Sequence, residues 1–360
     1  MSDFKINSIA TKQGQHGPII AGVSTVHSTG CMKIPSGPTE FRGGRGRAIF
    51  NGGYEAPANT SEIQTVEIAT TGNATNFGNL STARQGGASL ASSTRGISAG
   101  GNPSQQSVIE YILFSSNGGA NDFGDLTLGR RNFAGAGNNT RGIFFGGNTP
   151  IQQSIIDFIT IASTGDATDF GLLGVDTGLS ASTGNDVAGF PNSDNAACSS
   201  PTRAFTFCGG NMTNVIQFVI ISTRGNSEDF ADLTQGNVRH PTGCSSNTRG
   251  VSAGGKQPSP LNQVNIIQTF EMTTLGNATN FGDLLDKRDQ LAAASSKTRG
   301  VFAGGYTYPS PSVTYNRIDF ITIASAGNAQ DFGDLTYSGQ TNGASRSFSG
   351  CSDVNGGLVE

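Results

Sequence analysis

Two stretches decide the fold: Thr298-Arg-Gly-Val-Phe-Ala-Gly-Gly305 and, a little further on, Asp331-Phe-Gly-Asp-Leu335. Both recur along the chain. Copies of the first place a Gly-Gly pair at Gly52, Gly100, Gly146, Gly209, Gly254 and Gly304. Copies of the second place a phenylalanine at Phe77, Phe123, Phe170, Phe230, Phe281 and Phe332, so that successive positions differ by 46, 47, 60, 51 and 51. Two interleaved anchors with one period define a repeat architecture, in which each unit buries its apolar face only by stacking on its neighbours.

Each unit parses into four strands. In the last copy, strand a is Leu291-Ala-Ala-Ala-Ser-Ser296, strand b runs from Arg299 to Gly304, strand c from Arg317 to Ala324, and strand d begins at Asp331. The intervening Gly, Asn, Thr and Asp suit tight turns. Strand c is apolar on both faces, as in Ile156-Asp-Phe-Ile-Thr-Ile161 and Ile216-Gln-Phe-Val-Ile-Ile221. A sheet wetted on one side would alternate; one sandwiched between two other sheets need not. Strand a is small, as expected where sheets converge on an axis. These features predict an all-β fold, a β-propeller of four-stranded blades.

The order of apolar strand, Gly-Gly, variable loop, apolar strand and aromatic residue resembles the kelch repeat, over roughly residues 40–350. Kelch units usually end on Trp; this chain has none, and Phe stands there instead. The ends are fragmentary. Gly343-Ala-Ser345 reads as a strand a, and Arg346-Ser-Phe-Ser-Gly-Cys351 as a decayed strand b. At the other end Gly17-Pro-Ile-Ile-Ala-Gly-Val23 and Cys31-Met-Lys-Ile34 read as two more strands. Together these predict a seventh blade closed by both termini; the alternative is six blades with an N-terminal arm. The corresponding division is an arm or docking segment at 1–40, a propeller at 41–350 and a tail at 351–360.

Composition narrows the function. The chain holds 52 Gly in 360 residues, and 13% of its residues are charged. That Gly share is about twice, and the charge about half, what globular proteins usually carry. Net charge is −4, with no long run of one sign, which argues against nucleic-acid binding. No apolar stretch approaches the ~18–20 residues of a membrane span, so no membrane insertion is expected. Five cysteines form no CxxC pair and only three histidines occur, so a zinc site is not expected; the cysteines read as free, buried thiols. No nucleophile motif, calcium loop or copper ligand set is legible. The expectation is a non-enzyme without cofactor.

Up-and-down blades separate two faces. The a–b and c–d turns share one face. There Arg47, Arg95, Arg141, Arg203, Arg249 and Arg299 recur, together with acids such as Asp122, Asp125, Asp169, Asp331 and Asp334. Identical use in every blade reads as turn chemistry and Arg–carboxylate pairing. The b–c loops and d–a links share the other face, and there length varies. The span from Phe170 to Arg203 is 33 positions against 18 from Phe281 to Arg299, an insertion around Asp176–Asn195. Irregular loops on a rigid frame are where recognition is usually placed. The candidate partner-binding residues are therefore Asp176, Asn185, Asp186, Asn192, Lys256, Asn262, Tyr306, Tyr308 and Tyr315.

The repeat, with Ile-Asp-Phe-Ile-Thr-Ile-Ala-Ser and Gly-Asn-Ala-x-Asp-Phe-Gly-Asp-Leu pieces, also resembles repeats in structural proteins of tailed phages of marine bacteria, cyanophages in particular. The opening Phe4-Lys-Ile-Asn-Ser-Ile9 and the run from Gly17 to Thr39 are similar to virion-protein N-termini. The resemblance implies a tail, fibre, neck or capsid-surface protein of a virus particle, assembled in the host cytoplasm. Its partners would be other virion proteins and a host-surface glycan or protein, and self-association into a homo-oligomer is compatible with it. The alternative is a cellular or secreted carbohydrate-binding propeller.

Overall fold

A computed structural model describes residues 46–55, 57–174, 193–209, 214–236, 238–257, 262–308, 312–338 and 343–358, all within the compact unit Gly43–Glu360. Six four-stranded antiparallel sheets and three two-stranded hairpins make up the regular structure of the described residues. The sheets are the blades of a six-bladed propeller. In the sixth, strands a to d are Ala292–Ser295, Arg299–Ala303, Arg317–Thr322 and Gln330–Asp334, close to the strands read from sequence.

The blade count corrects the favoured expectation of seven. Ser349–Ser352 is a strand a, and it pairs with Arg47–Asn51, the strand b of the first blade. That blade continues through Glu62–Glu67 and Thr75–Asn79. The inner strand of the first blade thus comes from residues 349–352 near the other end of the chain. Gly343–Ser345 belongs to the link entering this strand, and the supposed decayed strand b is the link and strand a together. Both ends of the propeller do share a blade, one strand against three. The proposed strands at Gly17–Val23 and Cys31–Ile34, like the whole of 1–40, lie outside the described residues. Cys351 and Ser352, assigned to a tail, belong to the closing strand.

The core is divided by blade interface. Six apolar clusters each join two neighbouring blades. Phe50 and Val66 of the first blade, for example, meet Val301, Ile318 and Phe332 of the sixth. The six repeated phenylalanines, Phe77 through Phe332, are all buried in these clusters. Several meet a neighbouring ring edge to face, as Phe320 and Phe332 do at 6.0 Å.

Strand b ends in a sharp turn. Its first residue has φ of +65° at Gly52 and +58° at Gly304, a region that disfavours side chains with a Cβ. In the fourth blade the pair is displaced by one residue from the Gly209-Gly210 read in sequence. Cys208, at φ +60°, takes the first position and Gly209 the second. The described cysteines, Cys198, Cys208, Cys244 and Cys351, are buried and form no disulfide with one another. Burial pushes the Cys208 and Cys244 thiols up to about 12.

Candidate binding face

The two ends of the axis are built differently. At the turn end the repeated arginines stitch blade to blade. Arg95 Nη1 donates to the Ile161 and Ala162 carbonyls of the next blade at 2.9 and 3.0 Å. Arg141 does the same to Ile221 and Ser222, and Arg299 to Ile68 and Ala69, which carries the series round the ring. The expectation of general Arg–carboxylate pairing is corrected here. Arg95, Arg141, Arg203 and Arg299 lie over the ring at the fourth position of strand c in their own blade: Tyr111, Phe158, Phe218 and Phe320. Only where that position is Thr, at Thr65 and Thr269, does the arginine turn to a carboxylate: Arg47 to Glu67 and Arg249 to Glu271.

The c–d turns stitch as well. Asn73 Oδ1 accepts the Asp334 N–H, Asn277 Oδ1 the Asp232 N–H and Asn328 Oδ1 the Asp283 N–H, each across a blade boundary. Asn73 and Asn277, which match glycosylation acceptors in sequence, are structural turn residues. At this end the repeated arginines and turn asparagines hold neighbouring blades together.

The loop end differs from blade to blade. The residue just before each strand a is, in ring order from the second blade, Gly86-Gly87, Asn132-Phe133, Asp194-Asn195, His240-Pro241, Gln290-Leu291 and Ser347-Phe348. The first member of each pair has φ between +51° and +65°. Their main chains form a closed circle of hydrogen bonds round the axis. Asn132 N–H donates to Gly86 O, Asp194 to Asn132, His240 to Asp194, Gln290 to His240, Ser347 to Gln290 and Gly86 to Ser347, at 2.6 to 3.3 Å. Left-handed backbone is ordinary for Gly and tolerated by Asn and Asp. Closing the circle imposes it on His240, Gln290 and Ser347 too. One backbone geometry thus carries a glycine and five side chains with little in common. They surround the mouth of an axial cavity of about 130 Å³.

Those side chains run around the rim. Ser347 Oγ donates to Gln290 Oε1 at 2.6 Å. Asp194 receives Arg239 Nη2 at 2.8 Å on one oxygen, and the His240 Nδ1 stands 3.5 Å from the other. Beside them Asp289 is 1% exposed. Burial pushes its carboxyl above the ordinary range, against the opposing pull of His240, Lys256 and a Gln263 hydrogen bond.

The predicted site residues divide three ways. Asp176, Asn185, Asp186 and Asn192 lie outside the described residues. Lys256 and Tyr306 are half-buried and flank Asp289: Tyr306 pairs with it through the main chain and Lys256 through charge. Tyr308 and Asn262 are exposed. Tyr315 is half-buried, its ring 5.8 Å from the Arg288 guanidinium and its hydroxyl accepting from Thr307.

Several residues escaped the sequence reading. The Arg346 guanidinium stands 4.0 Å from the Tyr306 ring centroid and 5.2 Å from that of Tyr54, a cationic and aromatic cluster at the loop end. Arg84, Arg130 and Arg288 are buried and paired with Glu110, Asp157 and Asp319 at 2.6, 2.8 and 2.7 Å. The signal was present: these acids all hold the third position of strand c, where the other three blades carry Gln64, Gln217 and Gln268.

Among the described residues no cluster of three or more His, Cys, Asp or Glu could hold a metal ion. No protein-family model matches the chain, and no curated protein matches it.

Proposed function

We propose that this chain is a non-enzymatic binding module, a structural component of a virus particle, that recognises a protein or glycan through the loop end of its propeller. One observation carries the choice of face. The turn end repeats much the same blade-joining contacts round the ring, whereas the loop end sets five different side chains and one glycine on one closed backbone circle. A binding surface needs that kind of asymmetry on a fixed frame. Tyr306, Tyr54 and Arg346 add the aromatic and cationic character common in recognition surfaces. The particle setting rests on the resemblance of the repeat to structural proteins of tailed phages.

The test pairs two experiments. Mass spectrometry of purified particles should find the chain as a component; its absence from them removes the particle setting and leaves a cellular carbohydrate-binding propeller. Glycan-array and particle-protein binding should weaken at least tenfold in Tyr308→Ala with Asn262→Ala. Leu275→Ala, at an exposed residue of the turn end, should bind as the parent does. Loss in Leu275→Ala alone would place recognition on the opposite face.

A further inference from the structure

The turn end of the axis holds a second feature, independent of the loop end. Each inner strand finishes there on one residue: Ala91, Gly137, Ser199, Ser245, Ser295 and Ser352, in ring order. The serines reach back to the preceding blade. Ser199 Oγ donates to Gly137 O at 2.7 Å, Ser245 to Ser199 O and Ser295 to Ser245 O at 2.8 Å, and Ser352 to Ser295 O. Two more hydroxyls would close this ladder. The residues in question are Ala91 and Gly137, which have none, so the carbonyls of Ser352 and Ala91 are left without a side-chain donor from the ring.

Asn355 supplies both bonds. Its Nδ2 lies 3.2 Å from Ser352 O and 3.4 Å from Ala91 O. Its Oδ1 accepts the Gly357 N–H at 2.9 Å, and its carbonyl accepts the Leu358 N–H at 3.1 Å, so the segment folds back on itself. The two glycines permit close approach: a Cβ on Gly356 would collide with the Ser246 carbonyl, and one on Gly357 with the Gly137 carbonyl. Between them, residues 355–357 touch the second, third and fifth blades, so the segment crosses the axis. A void of about 50 Å³ remains between Asn355 and the inner strands. Leu358 is buried.

We propose that this carbonyl ring is a peptide-binding site for a carboxamide side chain followed by two glycines. Its occupant is the chain's own segment 353–358, and that segment is a plug, able to leave while the blades stay folded. The hinge is Asp353, whose side chain accepts the Arg47 N–H at 2.8 Å and whose N–H donates to Arg47 O at 3.1 Å. Beyond it no strand pairing holds the segment. Two carboxamide bonds, the packing of Val354 on the sixth-to-first apolar cluster and one buried leucine do.

Hydrogen exchange on the full chain tests the release. The Gly357 and Leu358 amides should exchange about 100-fold faster than those of the inner strands, with no acceleration by low urea, as local openings do. Asn355→Ala should speed them about tenfold further. Exchange at the inner-strand rate, rising with urea in parallel, would show the segment to be an integral part of the fold. The site itself is tested in the full chain carrying Asn355→Ala with Gly357→Val. A synthetic Asp-Val-Asn-Gly-Gly-Leu peptide should raise its thermal midpoint saturably, and the same peptide with Ala for Asn should not. A folded variant indifferent to both peptides at millimolar concentration overturns the peptide site, and a variant that fails to fold overturns the detachable plug.

Discussion

Arg130 and Asp157 are both wholly buried and 2.8 Å apart, with Thr127 Oγ1 donating to the second carboxylate oxygen at 2.7 Å. Burial pushes the Arg130 guanidinium down from its usual value, although Asp157 opposes the shift. Desolvation outweighing attraction is the usual condition of a buried pair, so its net stabilisation is small while its one-sided removal is expensive. The fifth blade shows the uncharged solution, with Val238 and Gln268 at the matching positions. Arg130→Met alone should therefore cost about 3–5 kcal/mol. Arg130→Met with Asp157→Gln should recover at least half of it in urea unfolding; equal losses in both would show that the pair is not a unit. Asp289 gives a pH test. Its folded-state carboxyl lies above the ordinary value of about 3.9, so the native state holds the proton more tightly than the unfolded chain. The native protein therefore gains stability as pH falls toward 4 and loses it as pH rises through the raised value. Against Asp289→Asn, the parent's thermal midpoint should improve as pH is lowered from 7 to 4.5. A difference constant across that range would mean the carboxyl titrates normally. None of these residues stood out in the sequence, because one-letter Arg and Asp do not reveal burial. The surroundings of Tyr315 were hidden for the converse reason, since a tyrosine in a polar loop reads as exposed until Arg288 and Thr307 are seen beside it.

Strands were the most legible elements. The sixth-blade strands fall within a residue or two of the structure, because small, glycine-ended and doubly apolar segments each have a distinct place in a blade. What the turns do was less legible. The Gly-Asn-Ala turn of each blade docks on the outer strand of the preceding one: Gly118 N–H donates to Phe77 O at 2.9 Å and Ala120 N–H to Asn79 O at 2.8 Å. In five blades the residue after the repeated phenylalanine is glycine, which permits this approach, since a Cβ on Gly78 would collide with the Gly118 carbonyl; the fourth carries Ala231 there. The same contact has an open side, as nothing stands within 4 Å of a Cβ built on Gly118. Gly78→Ala should thus lose about 1–3 kcal/mol, the range for overpacking. Gly118→Ala should stay within about 0.5 kcal/mol of the parent. Comparable effects from the two substitutions in chemical denaturation would mean that the docking is adjustable and the glycine incidental.

Ring closure is the property of the whole molecule that the sequence showed least well. Six Gly-Gly and six Phe anchors were visible, but the source of the first blade's strand a was not, because four small residues carry no periodic signature. The decayed Arg346–Cys351 copy then pointed to a seventh blade. In the structure, Ser349–Ser352 pairs with Ala48–Asn51 through four registered positions. Phe348 is buried with Phe50, the ring centroids 6.0 Å apart, and Cys351 packs with Ile49 and Phe114. One short strand therefore completes two interfaces, sixth-to-first and first-to-second, and removes the only open inner edge. Ending the chain at residue 345 should expose that edge and both apolar faces at once, giving a protein that aggregates or melts far below the parent. A peptide spanning 346–358, added in trans, should restore the missing pairing and raise the midpoint with a saturable concentration dependence, since a ligand that binds only the folded form stabilises it by mass action. A truncated chain that stays monomeric with an unchanged midpoint would show that closure does not depend on this strand. An unstable truncation that the peptide leaves unmoved would show that the strand must be covalently attached for the blade to form.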